Sequence, residues 1–236
     1  MDTAYVIVPV ADIYKDHIFS SEVVTQALIG EKVTILDTYD NWSRIKQWDR
    51  YEGWINNFYL RASDNFDYLT YLKPLEDQLD NIPICIDTQS PNHLFSNPSE
   101  LKIRKEVILD CVKFLGVPYK WGGKSSFGFD CSGLVQTVFK ISGVSMPRDS
   151  KNQYEVVKNN RINLKKAKSG DLIFFQENEK ICHVGIYNKG LKFTHSSGMV
   201  KENSLDKEDE LFDKKLMDKF VGIFSMSEII KEQLNE

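Results

Sequence analysis

The string WGGKSSFGFDCSGLVQTVF, residues 121–139, decides how the second half of this chain is read. A glycine-rich, aromatic loop runs into Asp130-Cys131-Ser132-Gly133, and an apolar helical pattern follows at Leu134, Val135, Val138, Phe139 and Ile141. That pattern predicts a buried helix with the Cys131 thiol in its first turn. Unpaired backbone N–H groups and the positive end of the helix dipole favour an anion there. A thiol so placed is expected to lose its proton more readily than a free cysteine, and the thiolate is the nucleophile. The alternative is a small buried hydrophobe at a helix start.

The histidines weigh between the two. Of four, His17, His93, His183 and His195, the last two flank a predicted hairpin, CHVGIY–NKG–LKFTHSSG. With Asn188-Lys189-Gly190 as a three-residue turn, Tyr187 pairs with Leu191 and His183 lies directly across from His195. Both then point to one face of the sheet, within side-chain reach. A lone histidine on a strand is more often structural or exposed than catalytic. Two that face each other downstream of a helix-start cysteine suggest a nucleophile, a base and an orienting group. His195 fills the third role only if neutral, with its acceptor nitrogen toward His183.

Outward from this core, a helix is expected over about 100–115, and another begins at Asp149-Ser150. Strands follow at Asp171 to Gln176, Cys182 to Tyr187, Leu191 to Ser196 and Phe220 to Ser225. Helices first and antiparallel strands after make an α+β domain, taken as 101–236. Residues 63–100, with Pro74, Pro83, Pro91 and Pro98, read as a linker that holds at most a short helix near Tyr68 to Leu72. Residues 1–62 read as short strands with aromatics at the turns: Ala4 to Val10, Lys32 to Asp37, Trp42 to Gln47 and Trp54 to Ile55. This spacing argues for a small β-barrel.

The chain has 236 residues, 42% hydrophobic and 27% charged, with a formal net charge of −4. These values describe a globular protein and give no sign of a nucleic-acid or membrane partner. The four cysteines, Cys85, Cys111, Cys131 and Cys182, form no Cys-x-x-Cys pair, and no metal-ligand spacing, phosphate loop or dinucleotide fingerprint is present. No metal and no cofactor are expected. Cys182, a possible rival nucleophile, is expected on the opposite strand face from His183. No basic leader or spanning stretch is seen, which suggests a cytoplasmic protein unless a leader has been trimmed.

The strings YKWGG, FDCSGLVQ, MPRDSKNQY, SGDLIFF, HVGIY and THSSG, in that order over most of residues 101–225, resemble the NlpC-type cell-wall cysteine peptidases. GEKVTIL, NWSRIK and GWI resemble a bacterial SH3-like domain. The resemblance implies a papain-like α+β catalytic domain with a Cys131, His183, His195 triad. It is closer to the branch of γ-D-glutamyl-L-diamino-acid endopeptidases, which implies cleavage of murein stem peptides, L-Ala-γ-D-Glu-diamino acid, with a free amino terminus. In that branch the SH3-like domain reads the amine, which implies roles for Glu22 and Tyr51. Positions lining the cleft match Tyr119, Asp130, Ser132, Arg148, Asp149 and Ser150. Asp130 or Ser132 could equally cap the helix, and Arg148 and Asp149 could equally pair with each other. A monomeric enzyme of peptide recycling is the resulting expectation. The alternatives are a secreted hydrolase of intact wall, an amidase or acyltransferase on the same triad, and a non-catalytic wall-binding module.

Overall fold

Inward apolar side chains alternate with outward ones along the first strands, Ala4 and Val6 on one, Ala11 and Ile13 on the next. The computed structural model describes residues 2–62 and 99–235, in two units: 2–62 with 120–128, and 99–119 with 129–235. The region read as a linker, as far as residue 98, together with its short helix and Cys85, lies outside the described residues.

The first unit is an antiparallel sheet of β1 (Thr3–Val6), β2 (Val10–Tyr14), β3 (Val23–Leu28), β4 (Lys32–Tyr39), β5 (Trp42–Lys46), β6 (Glu52–Asn56) and β7 (Leu60–Ala62). Their order is β3-β2-β6-β5-β4-β1-β7. The single first strand expected over Ala4 to Val10 is instead two, broken before Pro9, which has no N–H to give a ladder and restricts Val8. Ala4, Val6, Ala11, Ile13, Ala27, Val33, Ile45 and Ile55 form its core.

Nine residues from far along the sequence belong to this unit, including β8 (Lys124–Ser125), which pairs with β9 (Gly128–Phe129). The Lys120 ammonium lies 2.6 Å from Asp12, and the Trp121 indole donates to Glu22 at 3.1 Å. Gln26 Oε1 accepts from the Lys124 N–H (3.0 Å) and the Ser125 hydroxyl (3.2 Å). The Lys124 ammonium, 3% exposed, reaches Glu31, 1% exposed, at 3.3 Å. Gly122 has φ +73°, and a Cβ there would come within 2.8 Å of the Val23 carbonyl, so a side chain is excluded twice.

In the second unit, α1 (Glu100–Lys113), α2 (Cys131–Ile141), α3 (Ser150–Val157), α4 (Lys214–Met217) and α5 (Ser227–Leu234) accompany β10 (Arg161–Ile162), β11 (Leu172–Glu177), β12 (Lys180–Tyr187), β13 (Lys192–Ser197), β14 (Met199–Ser204) and β15 (Phe220–Phe224). The sheet order is β10-β15-β11-β12-β13-β14, all antiparallel. Both faces are covered, which explains the unbroken apolar run Leu172-Ile173-Phe174-Phe175. Leu172, Phe174, Val184 and Phe224 pack with α1, α2 and Ile230, whereas Ile173, Phe175, Tyr187 and Phe193 form a separate cluster. Residues 131–139 of α2 are buried on every side, as befits the central helix of a core.

The ladder between β12 and β13 holds only at Ile186–Thr194 and Tyr187–Phe193. Beyond that point β12 continues against β11 alone and β13 against β14 alone. At this wedge the Ser196 hydroxyl donates to the Phe129 carbonyl at 2.7 Å, tying the entry of α2 to β13.

Candidate active site

Asp130 caps α2 from an extended backbone (φ −86°, ψ 176°), its carboxylate accepting from the Gly133 N–H at 2.6 Å. The same carboxylate is gripped by both terminal nitrogens of Arg148, at 2.6 and 2.9 Å. Arg148 also donates to the Ser132 hydroxyl at 3.1 Å, and Gln153 donates to the Ser132 carbonyl at 3.0 Å. Such a fork is geometrically specific, so the first turn of α2 is fixed from beneath by two side chains.

Cys131 itself is 8% exposed. Burial pushes its thiol up to about 12; the Asp130 charge adds to this, and backbone N–H groups of Val184 and Ser132 oppose it. The expectation of a thiol more acidic than a free cysteine is therefore overturned: loss of solvent outweighs the helix terminus. A thiol so held needs a base if it is to give up its proton.

That base candidate stands beside Val184. His183 Nε2 lies 2.7 Å from His195 Nδ1, with the two rings nearly perpendicular at 82°. The pairing differs from the sequence expectation. The turn is Lys189-Gly190-Leu191, closed by the Asn188 N–H to the Lys192 carbonyl at 2.7 Å, and Tyr187 pairs with Phe193 rather than Leu191. Shifting the turn by one residue moves the register by two, so the shared face survives. His183 and His195 are diagonal neighbours rather than directly opposed. Gly185 falls opposite His195, and a Cβ there would sit 3.3 Å from the His195 Cβ and 3.1 Å from the Phe193 ring. A side chain at this position would therefore crowd the strand that carries His195.

Both rings are held neutral. Burial, then the neighbouring His195, lowers His183 to about 3. Burial lowers His195 to about 4, against the bond to Asn203, with Lys201 adding to the drop and Asp213 opposing it. Beyond His195, its Nε2 meets Asn203 Oδ1 at 2.8 Å.

Of the other residues singled out in the sequence, Tyr119 has its phenol near Cys131 and the Asp130 carboxylate. Burial first, then these two neighbours, raises it to about 12, so it remains a hydroxyl donor. Asp149 is at the N-cap position of α3 and Ser150 is its first residue, both half-buried. In the SH3-like unit, Glu22 lies at the head of β3 and Tyr51 just before β6. These strands flank β2, whose Tyr14 pairs with Val23 on one side and Trp54 on the other. Both residues thus belong to the same end of the sheet. Glu22 is exposed, accepts from Trp121 and lies 3.8 Å from the Lys15 ammonium.

Cys182 is the extra residue of a β-bulge between Phe175 and Gln176, so simple alternation does not describe it. It is exposed, with Sγ 3.7 Å from the Phe175 carbonyl, and burial raises its thiol too. Among the described residues, no group of three His, Cys, Asp or Glu is placed to hold a metal ion.

Three residues of the arrangement were not singled out in the sequence: Gln153, Gly185 and Asn203. Asn203 was within reach of the same parity count. The Ser197-Gly198-Met199 turn pairs His195 with Lys201 and Phe193 with Asn203, which puts Asn203 on the face of His195.

A thiol at a core helix start, an antiparallel sheet wedge and a pair of buried imidazoles define the class. Residues 116–219 match the NlpC/P60 family, whose peptidases are generally cysteine peptidases, and residues 13–57 match the bacterial dipeptidyl-peptidase Sh3 domain. An SH3-like stretch is thus followed by an NlpC/P60 stretch, in the order its strings suggested. It is 45% identical over 95 residues to the gamma-D-glutamyl-L-lysine dipeptidyl-peptidase of Bacillus subtilis (strain 168), covering 39% of this chain and 31% of that protein. The protein of the same name from Bacillus cereus (strain ATCC 10987 / NRS 248) is 27% identical over 228 residues, covering 75% of this chain and 68% of the relative. Dipeptidyl-peptidase 6 of Lysinibacillus sphaericus is 25% identical over 274 residues, covering 94% and 99%. In the first of these matches the chain spans under a third of its relative.

Proposed function

We propose that the protein is a cysteine endopeptidase that hydrolyses the γ-D-glutamyl–diamino acid bond of free murein peptides bearing an N-terminal L-Ala. The observation that carries the reading is the Cys131 thiol at the start of α2, beside the strand that presents the paired rings of His183 and His195. The names of the B. subtilis and B. cereus relatives support the substrate class.

His183 Nε2 is engaged with His195, which leaves Nδ1 for the thiol. His183 Nδ1 takes the thiol proton as Sγ bonds to the γ-carbonyl carbon of D-Glu, and the carbonyl π electrons move onto oxygen. In the first turn of α2, the N–H of Gly133 goes to the Asp130 side chain, that of Leu134 to the Asp130 carbonyl, and that of Ser132 faces Sγ. The Cys131 N–H is then the helix-start donor for the oxyanion, with the Tyr119 hydroxyl as a second. Collapse breaks the C–N bond, and the His183 imidazolium protonates the departing amine. Water attacks the thioester with His183 again as base, and L-Ala-D-Glu leaves. In this reading Asp130, Ser132 and Arg148 hold the nucleophile's turn, Asp149 and Ser150 line the substrate side, and Glu22 with Tyr51 supplies the carboxylate and hydroxyl that an ammonium group binds.

The test is a peptide panel with mass detection. L-Ala-γ-D-Glu-diaminopimelate and its lysine counterpart are expected to release L-Ala-D-Glu, and Cys131→Ala to abolish release with the fold intact. Cleavage by Cys131→Ala, or no cleavage of either peptide by the unmodified protein, rejects the reading. Preferred attack on intact sacculi over free peptides favours a wall hydrolase instead.

A further inference from the structure

We propose that Asn203 is a positioning residue that sets the tautomers of both histidines, through a directed chain of hydrogen bonds running from the Leu211 carbonyl to a bare Nδ1 on His183. The inference rests on the reading of His183 as the base.

The chain begins at a group that can only accept. The Leu211 carbonyl takes the Ser204 N–H at 3.1 Å and the Asn203 Nδ2 amide at 2.5 Å. Leu211 is itself held, its N–H donating to the Asp209 carboxylate at 2.9 Å. With Nδ2 committed to a carbonyl, the other end of the Asn203 amide, turned to His195 Nε2 at 2.8 Å, is oxygen. An amide oxygen accepts only, so the proton of that bond sits on His195 Nε2.

His195 is 1% exposed and neutral, and a neutral imidazole carries one proton. Its Nδ1 is therefore bare and accepts from His183 Nε2 at 2.7 Å. His183, neutral in its turn, has spent its one proton on that bond. The lone pair on Nδ1 is left to receive the thiol proton. Each link is forced by the one before it.

Rotating the Asn203 amide by half a turn reverses every arrow. Its NH2 would donate to His195 Nε2, His195 Nδ1–H would donate to His183 Nε2, and the His183 proton would sit on Nδ1, where it blocks the thiol. That orientation also sets two acceptor oxygens, Asn203 Oδ1 and the Leu211 carbonyl, against each other in a site where Asn203 is 9% exposed. A carbonyl in the segment between β14 and α4 thus selects the reactive form of the base.

The charges that bear on the pair are Lys201 on β14 and Lys219 just before β15, both of which disfavour imidazolium, and Asp213 at the cap of α4, which favours it. Asn203→Asp keeps an acceptor toward His195 Nε2 but adds a negative charge beside it. His195 then gains a second proton on Nδ1 at higher pH, and the His183 tautomer flips with it. Asn203→Leu removes the acceptor altogether.

The test reads the tautomers directly. In the full chain labelled with 15N-histidine, long-range nitrogen–proton correlation at neutral pH is expected to show protonated Nε2 and bare Nδ1 on both His183 and His195, assigned with His183→Gln and His195→Gln. A protonated Nδ1 on either ring overturns the proposal. In kinetics, Asn203→Leu is expected to lower kcat by ~10²-fold or more, within the range of a general base, with little change in KM. Asn203→Asp is expected to move the acid limb of kcat upward by about one pH unit or more, as an added neighbouring charge does. Unchanged kcat in the first variant together with an unmoved acid limb in the second also overturns it. If Cys131→Ala still cleaves peptide, the functional reading falls while the predicted nitrogen pattern stands; the two failures are separate.

Discussion

Replacing Arg148 by methionine strikes the support of the helix that begins at Cys131 rather than Cys131 itself. The guanidinium meets Asp130 through two bonds of 2.6 and 2.9 Å, with the two side chains 1% and 10% exposed. Once it is gone, the carboxylate keeps the Gly133 N–H and the Ser132 hydroxyl but loses the guanidinium. Removing one partner of a buried pair costs ~3–5 kcal/mol, because the other charge stays where water cannot reach it. At about 2–4 °C per kcal/mol for a domain of this size, the melting temperature is expected to fall by ~6–20 °C. The second half of the cycle carries the sign. Asp130→Asn added to Arg148→Met removes the stranded charge yet leaves an oxygen to cap Gly133, since asparagine caps as well as aspartate. The double variant is therefore expected to be more stable than Arg148→Met alone, by ~1–3 kcal/mol in urea unfolding, because neutral groups of similar volume replace buried pairs at little cost. A double variant no more stable than Arg148→Met refutes the reasoning and assigns the loss to packing of the arginine stem.

Other consequences are checked with less work. Gly185→Ala brings a Cβ to 3.3 Å from the His195 Cβ; overpacking of ~1–3 kcal/mol is expected to push the two imidazoles apart, lowering kcat with KM nearly unchanged. Stability should fall on acidification. The folded pKa values of His183 and His195 lie at about 3 and about 4, below the ordinary 6.5. The unfolded chain therefore binds protons that the native state does not, so the contribution is complete above about pH 6.5 and is lost as pH falls toward those values. Urea midpoints at about pH 5 and about pH 7.5 should differ less in the double variant His183→Gln/His195→Gln, and an equal difference contradicts the assignment. Glu22→Gln, which retains an acceptor for Trp121, is expected to raise KM for free-amine peptide by ~10-fold, about 1.4 kcal/mol of a charge-assisted bond. The same variant should behave like the unmodified protein on N-acetylated peptide, and parallel losses on both peptides would remove the amine from the account.

What the sequence made legible follows from the physics each inference used. Periodicity alone placed α2, because a helix apolar at Leu134, Val135, Val138 and Phe139 with a capping aspartate before it has few other ways to sit. The shared face of His183 and His195 was legible for a subtler reason: strand parity survives a turn that moves by one residue, although the pairing partner does not. The proton affinity of Cys131 was not legible. Helix position is local and visible in sequence, whereas desolvation depends on everything packed around the thiol. The partner of Arg148 was similarly hidden, because its adjacent carboxylate, Asp149, is a closer guess than one eighteen residues upstream. At Cys182 a bulge adds one residue to the strand, and nothing in composition marks it.

The nine residues 120–128 that belong to the SH3-like unit have a consequence for how such proteins can be recombined. A swap of the N-terminal domain made at the connecting segment would move only part of that unit. Lys124, nearly solvent-free, would arrive opposite whatever the donor carries at the position of Glu31, and Gln26 would no longer be there to take the Lys124 and Ser125 donors. The two stretches therefore have to be exchanged together. A productive chimera must carry a second, shorter graft just ahead of Cys131, so that the buried Lys124 ammonium and the Glu31 carboxylate travel together.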